Sequence, residues 1–329
     1  MSRLRLLVLG TVFAGALSAC AAILGIEDGV PRSDAGVPDA APVDATPPTD
    51  AKPDAAPTTC DPAKPFGAPT PLTALNAPGV EDSHGRLTPD ELTIFFSSLR
   101  AGGAGGADLY TASRTRRTDP FGAPANLGAP INAPSGELMP SVTGDGLTLY
   151  FVSDRAFGSH VWFATRPSVA SPFTAPQVAV GLNAAALDLT PYVLPDNATI
   201  VFDSTRLGDA GLFDLFSANA IDGGFSVPAV VKGVNTPGHD ELSAAMTPDQ
   251  LVIYFASNRP GTKGSYDLFV ATRALPSDPF GVATPVAELN TVGNEAADWI
   301  SADRCRLYFS SMKASNNGDY DLYVAEKAP

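Results

Sequence analysis

One pattern of charged residues occurs five times between Asp82 and Lys327. An acidic residue is followed eight positions later by an Asp in a turn sequence, and ten positions after that by Arg or Lys. The turn Asp stands at positions 90, 145, 196, 249 and 303, so the intervals are 55, 51, 53 and 54 residues. A period in this range indicates a propeller or a solenoid, in which each unit packs only against its neighbours. The five copies are Asp82/Asp90/Arg100, Glu137/Asp145/Arg155, Asp188/Asp196/Arg206, Glu241/Asp249/Arg259 and Glu295/Asp303/Lys313.

Each copy also predicts strands that are apolar on both faces. In the fourth copy, Leu251, Ile253 and Phe255 share one face and Tyr254 lies on the other, and a second strand follows at 266–272. Such strands belong in sheets that are covered on both sides, as the stacked blades of a propeller are. A further element begins with Phe and ends with Asn, and its copies span 66–76, 121–132, 173–183, 225–235 and 280–290.

The first copy of this further element precedes the first full repeat, and the last repeat has none. An N-terminal outer strand can therefore complete the last blade, which removes edges that would otherwise promote aggregation. A solenoid would need a polar cap at each end, and the sequence offers none. We therefore predict an all-β fold over residues 60–329, a closed five-bladed β-propeller of four-stranded antiparallel blades.

The first 19 residues are typical of a secretory signal peptide. Two Arg residues precede an apolar run, Leu6–Leu17, that is too short to span a bilayer. The run ends in Leu17-Ser18-Ala19-Cys20, which resembles the lipobox of bacterial lipoproteins. The resemblance implies cleavage before Cys20 and lipidation of that residue, and Ala21 favours sorting to the outer membrane. We expect a cell-envelope protein that meets the membrane only through its lipid anchor, on the periplasmic or the surface face.

Residues 20–59 are rich in Pro, Ala and Asp and poor in aromatic residues. This composition cannot bury enough apolar surface to offset the entropy of ordering, so we predict a disordered, extended tether.

The repeats resemble a known family at their turns and third strands. Thr88-Pro89-Asp90 and Thr247-Pro248-Asp249 form the turns, and Asp-Leu-Tyr or Asp-Leu-Phe follows at 108, 214, 267 and 321. These sequences look like the Pro-Asp WD-like repeats of TolB-type β-propellers. That family includes periplasmic proteins that bind partners in envelope complexes, and propellers joined to serine peptidase domains. Only two residues follow the last repeat here, so we expect no hydrolase domain. Blade 2 departs from the pattern with a short loop and His160 in place of the Asp, and TolB itself typically has six blades.

The repeated charges allow two interpretations, because positions eight before and ten after a turn lie near the same end of a hairpin. The five acids either form a ring that binds a cation or pair with bases inside the blades. We favour structural salt bridges, since every acid has its own base in the repeat. The expected pairs are Asp82 with Arg100, Glu137 with Arg155, Asp188 with Arg206, Glu241 with Arg259, and Glu295 with Lys313.

Positions that differ between blades are better candidates for a specific site. Four places before the turn Asp, the inner strands carry Arg86, Tyr192 and Trp299 in blades 1, 3 and 5. These side chains are candidates for a recognition surface, since Arg and aromatic residues dominate binding hot spots. Packing between blades is the alternative.

His84 and His239, each near an acid, are further binding candidates, but two His without a regular spacing do not predict a metal site. No cofactor motif is present, and the net charge of −14 argues against nucleic acid as a partner. The candidate catalytic carboxylates have basic neighbours that favour the charged form, which argues against glycosidase chemistry.

Cys60 and Cys305 remain after lipidation of the first cysteine. In a four-stranded blade both lie toward the same face, and exported chains retain disulfides, so we predict a bond that locks the ring closure. The alternative is a free Cys305 filling a site that is Leu or Ala in other blades.

These observations predict a monomeric, non-catalytic propeller that serves as an interaction or recognition scaffold for envelope proteins. Binding of cell-wall carbohydrate or peptidoglycan is the first alternative, and glycoside hydrolysis is the second. An aromatic cluster at one mouth would favour sugars, whereas a broad apolar patch would favour protein.

Overall fold

The computed structural model describes residues 60–156, 158–184, 186–206, 212–312 and 319–329. The predictions for residues 1–59, including the signal peptide, Cys20 and the tether, lie outside this part of the chain. Every regular element in the described ranges is a β-strand, and none of these residues forms a helix long and apolar enough to cross a membrane. In chain order the strands are β1 (Thr70–Pro71), β2 (Asp82–Leu87), β3 (Thr93–Ser98), β4 (Asp108–Ser113), β5 (Ala125–Asn126), β6 (Glu137–Val142), β7 (Thr148–Ala156), β8 (Gly158–Thr165), β9 (Gln177–Val178), β10 (Asp188–Val193), β11 (Thr199–Ser204), β12 (Asp214–Ile221), β13 (Gly224–Phe225), β14 (Ala229–Val230), β15 (Glu241–Met246), β16 (Val252–Ser257), β17 (Asp267–Thr272), β18 (Thr284–Pro285), β19 (Glu295–Ile300), β20 (Arg306–Ser311) and β21 (Asp321–Glu326).

These strands form the five antiparallel blades of a β-propeller, as the sequence predicts. Blade 1 runs β2-β3-β4-β5 from inside to outside, and β6 to β9 and β15 to β18 repeat this order in blades 2 and 4. Blade 3 consists of β10, β11, β12 and β14, with the short β13 paired to the far end of β12. Blade 5 contains β19, β20 and β21. The innermost strands contact one another in sequence from β2 to β19, and β19 contacts β2, which closes the ring.

The N-terminal strand β1 completes blade 5. Thr70 and Pro71 pair with β21, and Phe66 forms an isolated bridge with Lys327. Cys60 and Cys305 form a disulfide whose Cα atoms lie 6.0 Å apart. The predicted closing strand and the predicted disulfide are therefore both confirmed.

The second strand of each blade supplies the largest side chains of the core. In all five blades, the residue of this strand that stands six positions after the turn Asp is a fully buried Phe. Burying an aromatic or large aliphatic side chain stabilises a fold by about 1.5–3 kcal/mol relative to leaving it exposed. The five residues are Phe96, Phe151, Phe202, Phe255 and Phe309.

The Asn that ends each outer element holds the third strand of its own blade. In blade 1, Asn132 Oδ1 accepts a hydrogen bond from the Leu109 amide (2.9 Å), and its Nδ2 donates to the carbonyl of the same residue (3.0 Å). This contact satisfies the buried Leu109 amide, which the two-residue outer strand does not pair, and adds a second donor to the Leu109 carbonyl, which also accepts from the Leu127 amide (3.0 Å). The same contact recurs at Asn76, Asn183, Asn235 and Asn290.

Blade 2 is irregular where its sequence departs from the repeat. Its hairpin of β7 and β8 is longer than those of the other blades, with strands of 9 and 8 residues. His160 pairs with Ser153, in the register where the other blades place an Asp opposite a Ser.

Candidate functional site

The repeated acids lie at the end of the blades opposite the turns, and in four blades they contact their bases. The carboxylate and guanidinium are 2.5 Å apart in blade 1, 3.1 Å in blade 2, 2.5 Å in blade 3 and 2.8 Å in blade 4. In blade 5, Glu295 accepts hydrogen bonds from Thr291 and Ser311, and Lys313 lies outside the described residues. Burial raises the pKa of Glu241 and of Glu295. The pairs Asp82–Arg100, Glu137–Arg155, Asp188–Arg206 and Glu241–Arg259 match the structural interpretation of the repeat.

The variable residues Arg86, Tyr192 and Trp299 come together at the axis of the ring. The Arg86 guanidinium lies 4.7 Å from the centroid of the Tyr192 ring, and because blades 1 and 3 are not neighbours, this contact crosses the axis. Arg86 also donates to the Ala297 carbonyl (3.4 Å), and the Tyr192 hydroxyl donates to the Met246 carbonyl (3.0 Å). The three side chains are only 2, 2 and 6 % exposed. The structure therefore places them in packing between blades, the alternative interpretation, and not on an open recognition surface.

Two buried carboxyl groups that the sequence analysis missed lie near this axis. The Asp203 carboxylate accepts a hydrogen bond from the Ser243 amide (3.2 Å), and Asp298 accepts one from the Ser310 hydroxyl (2.6 Å). Burial raises the pKa of each group to about 7, against an opposing effect of the Arg86 charge. Asp203 stands seven places after its turn Asp, where the other blades carry Ser, Val or Ala. Comparing this position across the five repeats therefore identifies Asp203 from the sequence.

Both carboxyl groups are enclosed. Asp203 and Asp298 have no exposed surface. The cavity beside Arg86, Tyr192 and Trp299 measures about 10 Å³, which is room for about one water molecule. A sugar ring cannot reach these carboxyls in this conformation.

The two candidate histidines lie on different blades. His84, in β2, is 3.0 Å from the Ser83 hydroxyl, and desolvation together with the charge of Arg86 lowers its pKa to about 3. His239 lies in the turn before β15, where its amide donates to the Thr236 carbonyl. In the part of the chain that the structure describes, no three His, Cys, Asp or Glu side chains are arranged to hold a metal ion.

A different repeat position controls how neighbouring blades are joined. We call the residue that follows each turn Asp the junction residue; all five adopt a left-handed backbone conformation, with φ between 57° and 71°. This conformation ends the hairpin turn and directs the side chain toward the preceding blade. The junction residues are Glu91, Gly146, Asn197, Gln250 and Arg304.

Four junction residues bond the preceding blade. Glu91 accepts hydrogen bonds from Arg306 (2.7 and 2.9 Å) and from Tyr308 (3.2 Å) of blade 5. Asn197 donates to Asp145 of blade 2 (3.0 Å), Gln250 to Thr199 of blade 3 (3.4 Å), and Arg304 to Asp249 of blade 4 (2.6 Å). Gly146 has no side chain, so blade 2 makes no such contact with blade 1.

A groove of about 870 Å³ lies at this junction, and we call it the blade 1/2 groove. Thr93 and Phe95 line it at the positions that correspond to Arg306 and Tyr308 of the filled junction between blades 5 and 1. Asp90 of blade 1 and both Asp145 and Arg166 of blade 2 contribute charges to its lining. The rest of the wall combines polar and aliphatic residues; the polar ones are Thr88, Thr111, Ser113 and Ser171, and the aliphatic ones are Leu127, Ala129, Pro130, Ile131, Val169, Ala170 and Pro172.

The volume of this groove lies within the range of ordinary ligand sites, about 300–1,000 Å³. Further depressions of about 680 and 550 Å³ lie at the outer parts of the junctions of blades 5 and 1 and of blades 2 and 3. The blade 1/2 groove differs from both because an identifiable change in the repeat, Gly at the junction position, accounts for it. This Gly can be seen in the sequence directly after the turn Asp145, but its significance depends on comparing the residue after the turn Asp across all five blades.

Comparison with known proteins identifies the fold alone. No protein-family model matches the sequence, and no match was found among curated proteins. Among solved structures, a family 117 glycoside hydrolase from Zobellia galactanivorans superposes with a TM-score of 0.51 at 13% identity, over 80% of this chain and 90% of the other. An endo-arabinase from Bacteroides thetaiotaomicron gives a TM-score of 0.50 at 10% identity, over 80% and 98%. TolB from Acinetobacter baumannii gives 0.44 at 12% identity, and the alignment covers 80% of this chain but only 56% of the TolB chain.

Proposed function

We propose that this protein is a lipid-anchored, non-catalytic propeller of the bacterial cell envelope that binds other proteins through the blade 1/2 groove. The anchor and location rest on the sequence around Cys20. The observation that carries the binding function is the unfilled junction at Gly146, which leaves a groove with an aliphatic wall. Five apolar residues of the groove, Ala129, Pro130, Val169, Ala170 and Pro172, are exposed, and clustered exposed apolar residues are typical of protein interaction sites.

The arrangement of aromatic side chains favours protein over carbohydrate. Sugar sites present exposed aromatic faces, but the aromatic residues of this groove, Phe95 and Phe173, are both buried. Hydrolysis of a glycosidic bond needs two carboxyl groups on either side of the sugar. The axial carboxyls, Asp203 and Asp298, are enclosed, and in blades 1 to 4 the repeated acids are held in ion pairs within their blades.

Site-specific photo-crosslinking tests the proposal. The photoreactive residue benzoylphenylalanine is placed at Val169, an exposed groove residue, and in a matched control at Ile221, which is similarly exposed on blade 3. Irradiation of envelopes that contain the full chain should give protein adducts from position 169 and none from position 221. A glycan array is run in parallel with the same protein. Binding to glycans without protein adducts at position 169 would overturn the proposal in favour of a carbohydrate-binding function.

A further inference from the structure

We propose that the blade 1/2 groove takes an extended polypeptide segment whose Arg or Lys side chain pairs with Asp90, in place of the interblade contact that Gly146 cannot make. This inference rests on the proposed protein-binding function and specifies the chemistry of the partner. It follows from comparing the five turn carboxylates with one another.

Each turn Asp accepts hydrogen bonds from its own hairpin through Oδ1. In blade 4, Asp249 Oδ1 accepts from the Thr247 hydroxyl and the Leu251 amide, and Oδ2 accepts from Arg304 of blade 5. In blade 2, the second oxygen of Asp145 accepts from Asn197 of blade 3. In blades 2 and 4, the second oxygen of the turn Asp is thus bound by a donor that the next blade carries.

Blade 1 has the acceptor without the donor. Asp90 Oδ1 accepts from the Thr88 hydroxyl (2.6 Å) and the Leu92 amide (2.9 Å), as in the other blades. The next blade presents Gly146, and no described residue donates to Asp90 Oδ2. Asp196 and Asp303, the remaining two turn carboxylates, have Oδ2 donors in Thr199 and Arg306. Asp90 is therefore the described turn Asp whose second oxygen is available to a ligand.

The partner's charge follows from the Arg304–Asp249 pair, which shows what fits this position. Its nitrogen and oxygen lie 2.6 Å apart at a junction of the same geometry. A guanidinium or ammonium group satisfies a carboxylate oxygen with a charge-assisted hydrogen bond, which is stronger than one from a neutral donor. The protein's net charge of −14 attracts a basic partner over longer distances.

The other wall of the groove favours a polypeptide over a small amine. Arg166 of blade 2 donates its Nε to the Gly146 carbonyl (2.7 Å) and its Nη1 to the Val169 carbonyl (3.0 Å), and it lies over the Phe173 ring. These contacts hold the cation against its own blade, where its Nη2 atom lies 3.5 Å from the position that a Cβ would occupy at Gly146. A bound backbone carbonyl suits this donor, and aliphatic side chains of the same segment suit the Leu127–Ile131 wall.

A displayed library of random heptapeptides is the probe. It is selected on the detergent-solubilised full chain, and the enriched peptides are resynthesised with each Arg or Lys in turn replaced by citrulline or norleucine. Gly146→Gln gives blade 2 the junction side chain of blade 4 and should reduce binding at least tenfold. The control is Gly223→Gln on blade 3: Gly223 is also left-handed, but no atom lies within 4 Å of an added Cβ there, whereas at Gly146 the added Cβ meets Val169 Cγ1 at 3.2 Å. Asp90→Asn should weaken the basic peptides about threefold to tenfold, and Asp222→Asn, an exposed acid of blade 3, should not.

The effects of Asp90→Asn and of replacing the basic residue of the peptide should not be additive. A citrulline or norleucine peptide should bind the parent and the Asp90→Asn variant equally, because each change removes the same ion pair. Enriched peptides without a basic residue, or basic peptides insensitive to Asp90→Asn, would overturn this inference and leave the binding function intact. Peptides insensitive to Gly146→Gln would overturn the groove as their site. A selection that enriches nothing also counts against the inference, while crosslinking at position 169 decides the proposed function separately.

Discussion

The disulfide between Cys60 and Cys305 should contribute a large part of the stability of this propeller. It joins residues separated by 245 positions and holds the segment that completes blade 5. Other contacts hold that segment as well: β1 makes two residue pairs with β21, Asn76 bonds the backbone of Leu322 at two points, and Phe66 packs against Tyr254 with ring centroids 5.9 Å apart. The loop-entropy relation, with a closed loop of this length, gives a stabilisation of about 5 kcal/mol at 25 °C.

Cys60→Ser is the appropriate change, because Cys60 is partly exposed whereas Cys305 is buried and its replacement would also alter packing. The free energy of unfolding, from urea titrations followed by Trp fluorescence, should fall by about 5 kcal/mol. This corresponds to a decrease in Tm of roughly 10–20 °C. Adding reductant to the parent should reproduce the loss, and adding it to the variant should change nothing further. A difference below about 1 kcal/mol, or thiol labelling of both cysteines in the denatured, unreduced parent, would refute the argument.

Three further outcomes are expected. The raised pKa of Asp203 means that its contribution to stability is fully present below about pH 4 and is lost as pH rises through about 7. Asp203→Asn should therefore gain up to roughly 4 kcal/mol relative to the parent between pH 4 and 8 in urea titrations, and a flat difference would contradict this. Glu91→Gln removes the better buried of the two carboxylates that pair with Arg306, the other being Asp303, and should cost about 2 kcal/mol, whereas Gln250→Ala, at a junction with one long hydrogen bond, should cost less than about 1 kcal/mol. Asn132→Ala should lower the free energy of unfolding by about 2 kcal/mol and accelerate hydrogen exchange at the Leu109 amide, which donates to Asn132 in the parent. Unchanged exchange at that amide would show that the Asn contact is dispensable.

The architecture could be predicted because the repeat encodes it locally. Turn Asp, alternating strand and Phe recur in every copy, and the extra outer element at Phe66 identifies how the ring closes. Such features depend on a single blade or on a count of elements, so no distant geometry is needed.

The site was harder to predict because it depends on contacts between blades. Arg86 and Tyr192 belong to blades that are not neighbours, and only the closed ring shows that they meet and bury each other. Asp203 looks like one polar residue among several until its amide partner on blade 4 is known. Gly146 reads as an ordinary turn glycine, and its effect becomes apparent only when the other four junction side chains are seen to bond the preceding blade.

The pairing of β1 with β21 also sets the order of events during folding. Thr70 must meet Val324, its partner in the strand register, before the ring can close. Blades 1 to 4 can each assemble from local hairpins, but the last blade cannot be complete until the two ends of the propeller sequence come together. Ring closure is thus a late, non-local step of folding. In the exported protein that we propose, the N-terminal segment remains accessible to the chaperones and proteases of the envelope until that step is complete.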